Sequence, residues 1–569
     1  MTTRPNKTLC ASRREFMVSA AATLGLAVLP NPGVAAPTSA KWRRWNLSDP
    51  KTPADVRERV LASYKKAIRE MLKRPPQDQL NWYRNALTHT LDCPHGNWWF
   101  LAWHRGYLGW FERKCRELSG DPEFALPYWD WTTTTENGVP RVPDYMFDDV
   151  LDPNNEAFIG THEKFKARFR DAIRKADYWD LEKDGTPSDR YGQLIARGIR
   201  FPDDLWFDVI DNPPSHNNGF PNMASKFFFD RPHARGLTRD NPYLDAGEPK
   251  GVPDVPICEP VVELEYVECA LGPKDFETFA SPKALGGHNI QVVGFGPLEH
   301  GPHNLIHNCV GGGYNGNGGF MLNFMSPVDP IFFLHHSNID RLWEVWTRKQ
   351  TALGYPTLPE GKDLTAWSNE PFLFFADEKG RPVSATAGDY AKIGAFDYDY
   401  QPGTGEKLVP AAGLAAAPPA PIERFTAEID RPSSNATQPP GGLVKIPQDL
   451  IQAAPKPGGP KLFAKITVGF PPRGHFPLVA LINAPAGAAS VSPSSPHFVA
   501  TLDMFGTHVM HCPVTFTVCL SRSLTALRAN NLLEESKPLD IRVAPSGISH
   551  VPSITLPGIE VVSIVIEAH

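Results

Sequence analysis

The sequence has no hydrophobic run long enough for a mature membrane span. The apolar stretch at residues 18–29 is 12 residues, well short of the roughly 20 a bilayer-crossing helix needs. An excess of positive charge is also missing. Lys plus Arg total 57 against 63 Asp plus Glu, for a net charge of −6, so no global basic field favours nucleic acid or an anionic membrane surface. Cysteine is sparse, at eight residues, and no internal repeat is apparent. Proline and tryptophan are plentiful instead, 58 and 14 residues, which points to long irregular loops and aromatic-rich cores. At 569 residues the chain can build two or three domains around sizeable cores.

The N-terminus reads as a leader. Arg13 and Arg14, followed by Glu15, Phe16 and Met17, form a twin-arginine pattern ahead of the apolar run and the small residues Val34, Ala35 and Ala36. Residues 1–36 are therefore expected to be a signal peptide, placing the mature protein in the periplasm or outside the cell without a membrane anchor. That route exports folded proteins, usually because a cofactor is inserted first. With Cys10 in the leader, seven cysteines remain, an odd number for an oxidising compartment. Cys512 and Cys519, if on one strand, lie roughly 23 Å apart and cannot bridge; Cys258 with Cys269 is the better pair.

Helical spacing of apolar residues covers 52–74, ending before Pro75, and 103–118. Residues 140–282 read as a long insertion with one charged helix near 163–174, and the glycine-rich segment 311–319 as a loop. Residues 401–460 turn to Pro, Ala and Gly and look like a linker. Beyond them 461–468, 478–482, 498–502, 514–520, 541–543 and 561–566 read as strands of a small all-β domain, 461–569, of sandwich type.

Histidines carry the chemistry. His303 and His307 are four apart, close enough on one helical face to clamp an ion. With 18 histidines in the chain, roughly half of one such pair arises by chance, so context matters. Downstream, His335 and His336 end an apolar run that opens into a helix, and Asp340 follows four residues after His336. Asp340 is placed to accept the other ring N–H of His336 and fix its tautomer. Adjacent helical residues point about 100° apart, so His335 and His336 are not expected to serve one metal equally. Upstream, His89, His95 and His104 sit among Trp98, Trp99, Phe100 and Trp103. Imidazole ligands in a dry aromatic pocket suit copper or zinc; structural zinc would recruit thiolates, and only Cys93 is near.

These strings, H-x3-C-x-H-x8-H-R, H-N-x2-H and F-F-L-H-H-x-N-x-D-R-x-W, resemble the CuA and CuB regions of the tyrosinase and polyphenol oxidase (type 3 copper) family. The similarity extends over residues 124–131 and the Phe396-Asp397-Tyr398 element, and the C-terminal β region is similar to the shielding domain of plant polyphenol oxidases. The resemblance implies a bacterial family member with a mainly α catalytic domain, 41–400, whose four-helix bundle holds two copper ions. His89, His95 and His104 would bind one copper, and His303, His307 and His336 the other, the second of the paired histidines being the family's ligand. It further implies a thioether from Cys93 to His95. Glu299 and Asn304 would hold a water that deprotonates a monophenol.

The expected function is oxidation of phenols or o-diphenols to o-quinones with dioxygen. A diphenol-only catechol oxidase, an o-aminophenol oxidase and a hemocyanin-like oxygen carrier remain as alternatives. A phenolic small molecule and dioxygen are the expected partners, a copper-loading chaperone is a candidate, and the oligomeric state is open. Met504, Phe505 and Met510 could insert into the copper cleft from the C-terminal domain. His508, His511 and Cys512 could assist copper loading.

Overall fold

The computed structural model describes residues 40–133, 141–206, 235, 262–311, 319–411, 421–430, 438–456, 459–469, 478–485, 491, 493–502, 513–534, 536–545 and 559–569. The leader, Cys258, Met504, Phe505, His508, Met510, His511 and Cys512 lie outside the described residues, as do 312–318 of the glycine-rich segment.

Four helices surround the centre: α1 (Ala54–Lys73), α2 (Trp82–Asp92), α3 (Phe100–Ser119) and, far along the chain, Ile331–Leu353. Their ends follow local chemistry. Asn81 caps α2 by accepting from the amides of Tyr83 and Arg84, satisfying donors that have no intrahelical partner. Gly120 ends α3 in the left-handed conformation, which glycine adopts without steric cost. Trp82, Phe111 and Phe333 bring α2, α3 and the long helix together. Phe111 and Phe333 stack with centroids 3.5 Å apart, and Trp82 stands 5.9 and 5.8 Å from them.

Part of the segment 140–282 packs into the core. Helix α4 (His162–Arg174) buries Phe165 and Phe169, whose rings lie 5.5 and 5.4 Å from Tyr83 of α2. It continues to α5 (Leu264–Ala270), then the two-residue strand Gly294–Phe295, a π-helical turn over Glu299–His303, α6 (Asn304–Val310) and the long helix, now α7. The ends of the core meet where β1 (Trp42–Arg44) pairs in parallel with Tyr398–Tyr400.

The C-terminal region is two five-stranded sheets. Number Gly294–Phe295 as β2, Tyr398–Tyr400 as β3, Glu423–Thr426 as β4, Glu428–Ile429 as β5 and Gly441–Val444 as β6. The rest are β7 (Leu462–Gly469), β8 (Leu478–Ile482), β9 (Phe498–Leu502), β10 (Val514–Cys519), β11 (Leu539–Pro545) and β12 (Glu560–Ala568). One sheet has the order β9-β8-β11-β6-β5, the other β2-β10-β7-β12-β4. The linker expectation for 401–460 is therefore corrected. Residues 423–426, 428–429 and 441–444 are strands of these sheets, too short to carry a readable alternation.

A strand of the core completes a sheet of the β region. Residues Gly294 and Phe295 pair in parallel with Thr515 and Phe516, and Phe295 is buried within the β-region core. The regions are also joined covalently, because Cys269 of α5 forms a disulfide with Cys519 at the end of β10. This corrects the Cys258–Cys269 expectation. The true partner is 250 residues away in sequence and adjacent only after folding. Cys309 is disulfide-bonded too, while Cys93 and Cys115 are free and buried.

Candidate metal centre

The bundle aims two groups of histidines at each other. His89 projects from α2, His95 from the loop after it and His104 from α3. Their ligating atoms lie within 4.8 Å of one another. His303 ends the π-helical turn, a feature that clusters at functional sites, His307 lies on α6, and His335 and His336 are on α7. Ligating atoms of these four also fall within 4.8 Å. All seven rings are buried. Ring contacts bind the groups together: His104 stacks on His336 at 4.3 Å, and His95 on His303 at 5.5 Å.

Backbone and amide oxygens set the tautomers. Nδ1 of His89 donates to Phe324 O, that of His104 to Phe100 O and that of His307 to Met321 O, each at 2.8 Å. Asn304 Oδ1 accepts from His303 Nδ1 at 2.8 Å. A carbonyl can only accept, so these Nδ1 atoms carry the proton and each Nε2 keeps its lone pair. Burial, reinforced by neighbouring imidazoles, drives the pKa of His89, His95, His303, His307 and His336 well down, and burial pushes His104 to about 3. All six are therefore neutral and ready to ligate.

The donor set fits copper. Nε2 of His89 and of His104, both lone-pair bearing, face each other at 3.5 Å. Two such acceptors repel unless a cation lies against both. Uncharged imidazole donors in a dry pocket suit a transition metal with accessible +1 and +2 states.

His335 and His336 both enter the cluster, more closely than their angular separation suggests. Still, their surroundings differ. His336 Nε2 lies 3.0 Å from His307 Nε2, and its ring stacks on the opposite group. The His335 ring lies against Trp131 at 5.2 Å as well as against His303 at 5.6 Å and His307 at 4.9 Å, and no stack of it on the first group is found among the described residues.

Asp340 does not orient His336, contrary to the sequence expectation. Its carboxylate accepts from Arg105 Nε at 2.6 Å, Arg44 Nη1 at 3.3 Å, Tyr398 OH at 2.5 Å and Tyr400 OH at 2.6 Å. These partners fill its acceptor sites, and two guanidiniums outbid a neutral imidazole for a carboxylate. No hydrogen-bond partner of His336 Nδ1 is found among the described residues. Burial alone would raise the Asp340 pKa, but Arg105, Arg44 and the two phenols outweigh it and hold it below the usual carboxylate range. Asp340 thus ties α7 to α3 at Arg105, the residue after His104.

Glu299 is fully buried rather than solvated. It accepts from Gly96 N at 2.7 Å and from the Ser281 hydroxyl, linking the loop of His95 to the turn of His303. Burial pushes its pKa well up. Gly96 takes φ +66°, and a Cβ there would meet Val292 at 2.6 Å, so only glycine brings its amide this close. The Cys93 Sγ stands 3.5 Å from His95 Nδ1. Three participants escaped the sequence reading: Ser281, Arg44 and His288. Each is an isolated polar residue whose partners are remote in sequence, so no local pattern marks it.

Residues 73–349 match the family model described as the common central domain of tyrosinase. The chain is 24% identical to the chloroplastic polyphenol oxidase of Spinacia oleracea over 364 residues, 60% of this chain and 45% of that protein. It is 23% identical to tyrosinase HcTyr1 of Hahella sp. (strain CCB-MM4) over 388 residues, 61% of this chain and 62% of that one. The match thus spans about half the length of the first of these relatives and less than two thirds of the second. In fold, it is similar to the solved structure of recombinantly expressed latent aurone synthase (polyphenol oxidase), with a TM-score of 0.51, 18% identity and coverage of 94% of this chain and 90% of that one. With the two facing groups of neutral histidines inside that matched stretch, residues 73–349 carry the common central domain of tyrosinase, a domain whose family uses a dinuclear copper centre.

Proposed function

We propose that this protein is a tyrosinase-like oxidase, hydroxylating monophenols and oxidising o-diphenols to o-quinones with dioxygen. His89, His95 and His104 hold one copper in this reading, and His303, His307 and His336 the other. The observation that carries it is the pair of facing histidine groups, buried, uncharged and with four tautomers set by oxygen acceptors. Bound there, the copper pair supplies two-electron exchange between dioxygen and a phenol. The chain's own part is to keep the ligands neutral, exclude water and move one proton. Glu299 and Asn304 hold the water that takes the proton of an incoming monophenol. Support comes from the buried carboxyl of Glu299 and from Asn304 being fixed beside His303. A raised pKa makes the ionised carboxylate the stronger base. A Cys93–His95 thioether belongs to the same reading and is supported by the 3.5 Å contact.

The twin-arginine leader would place this oxidase outside the cytoplasm, with copper loaded beforehand by a chaperone. The β region acts as a shield in this proposal. It packs on the turn carrying the second group, where the His300 ring meets Phe516 edge-on at 6.4 Å.

Oxygen uptake with tyrosine and with DOPA tests the function. The copper-loaded full chain is assayed before and after limited proteolysis, with quinone formation followed in parallel. Oxidation of both substrates supports the full reading, and DOPA alone reduces it to a catechol oxidase. Reversible oxygen uptake without quinone, or no phenol oxidised at two coppers per chain, overturns it.

A further inference from the structure

Next to the first histidine group lies a buried ionic chain that no copper ligand belongs to. His288 is 1% exposed and uses both ring nitrogens on carboxylates: Nδ1 with Glu370 Oε1 at 2.8 Å and Nε2 with Asp92 Oδ1 at 3.0 Å. A carboxylate at each nitrogen requires both to be donors, so the ring is an imidazolium. Glu370 Oε1 also accepts from the His288 amide at 2.8 Å. The ring stands edge-on to Phe372 at 4.9 Å.

The chain continues toward the metal site. Asp92 is the last residue of α2, three after His89 and three before His95. Its second oxygen accepts from Trp103 Nε1 at 2.7 Å. Trp103 precedes His104, and its indole stands edge-on to His89 at 5.8 Å and to His104 at 5.0 Å. A second link leaves from the His288 backbone, whose carbonyl accepts from Asn97 Nδ2 at 2.8 Å. Asn97 Oδ1 in turn caps Trp99 N at 3.1 Å, at the start of α3. One buried residue from the 282–293 loop therefore braces the end of α2, the loop carrying His95 and the indole wedged against the other two rings.

We infer that His288 is a positioning residue for the copper held by His89, His95 and His104, acting through Asp92 and Trp103 and touching none of the three ligands. The inference rests on the copper assignment proposed above. Outer partners of this kind set ligand orientation, and their loss costs about 10- to 100-fold in metal affinity. The effect falls mainly on one side. His303, His307 and His336 take their orientation from Asn304, Met321 and α7, and the His288 chain reaches them one step later, through ring contacts with the first group. A residue needed only for folding would loosen both coppers together or neither.

The test measures release of each copper to a chelator from the full, copper-loaded chain. Copper per chain is counted along the way, and an isolated Cu(II) is detected by electron paramagnetic resonance, which a coupled pair does not show. For H288Q the expected result is loss of one copper about 10- to 100-fold faster than from wild type. The other should leave near the wild-type rate, with a one-copper species that gives the resonance signal. E370Q keeps the shape and the hydrogen-bond acceptor, removes one charge at a partly exposed position and touches no ligand. It should shift the same copper in the same direction by less, and it stands in if H288Q does not fold. Wild-type release rates for both coppers in the folded variants, or equal acceleration of both, overturn the inference. A wild-type chain that fails to bind two coppers overturns the copper assignment instead.

Discussion

Asp340 gives the sharpest separation between what the sequence suggests and what the fold does. The substitution D340N keeps the side-chain shape and removes the charge. In the structure it leaves the buried guanidiniums of Arg44 and Arg105 short of a counter-ion. Arg44 retains Glu112 at 2.8 Å, and among the described residues Arg105 retains the Ala391 carbonyl at 3.3 Å, its stack on Trp343 and the more distant charge of Glu344. Breaking a buried pair from one side costs about 3–5 kcal/mol. The amide has a single acceptor oxygen with two lone pairs, so it cannot serve Arg44, Arg105, Tyr398 and Tyr400 together as the carboxylate does. For a core of this size each kcal/mol moves the unfolding midpoint by roughly 2–4 °C or less, so a fall on the order of 5–15 °C is expected by calorimetry. Copper release reads the competing idea. If Asp340 oriented His336, the second copper alone would leave about 10- to 100-fold faster with little change in stability. In the observed arrangement any loosening reaches His104 through Arg105 as much as His336. Selective loss of the second copper, with a midpoint within about 2 °C of wild type, would refute the structural account.

Two further outcomes follow from the structure. Proteolysis within residues 412–420 should leave the β region attached under denaturing, non-reducing conditions, because the Cys269–Cys519 disulfide joins it to α5; separation on a gel without reductant would refute this. The His288 pKa is raised from 6.5 to about 9: burial opposes the shift, and Asp92 and Glu370 overcome it. A raised folded-state value means the stabilisation is complete below about pH 6.5 and is lost as pH climbs to about 9, an amount of roughly 3 kcal/mol. Lys114 and Lys349, pushed by burial to about 8, act in the opposite sense above that pH. The comparison is therefore wild type minus H288Q in denaturant unfolding at pH 6.5 and 9, and a difference independent of pH would refute it.

Much of the fold is legible locally. The apolar spacing of 52–74 and 103–118 corresponds to α1 (Ala54–Lys73) and to most of α3 (Phe100–Ser119), and all six strands read in 461–569 are found. Most of these elements have one face buried along their length, so the periodicity is written into them, and β8 and β9, buried throughout, read as short apolar runs. β2 is only two residues long and owes its existence to Thr515 and Phe516, more than two hundred residues on; nothing local encodes it. β4 and β6 escape for the same reason, since their partners β12 and β11 supply the register, and the two-residue β5 pairs with β6. At the metal site the histidine types and spacings were readable, because ligands on α2, α3 and α6 are three to five residues from an element end or from each other. Their supports were not. Asp340 finds Arg44 and Arg105 at separations of 296 and 235 residues, where an i,i+4 argument can only see His336.

Glu299 shows how support and chemistry combine in one residue. Its carboxylate spends one oxygen on Gly96 N–H and the other on the Ser281 hydroxyl, which fixes the His95 loop against the turn that carries His303. Each oxygen has a second lone pair, so the strut keeps an acceptor site for the water of the proposed hydroxylation. Ser281 adopts φ +155°, a region that costs a non-glycine residue on the order of 1–3 kcal/mol. Its hydroxyl both donates to Glu299 and accepts from Gly296 N at 2.9 Å, and Gly296 directly follows β2. The carboxyl is thereby held by a strained residue and, one step removed, by the strand that the core lends to the β region. Cutting the chain between the regions leaves that strand paired; pulling them apart strips β2 of its partner. The β region thus holds the segment from which Glu299 and His303 project, beside the shielding proposed for it.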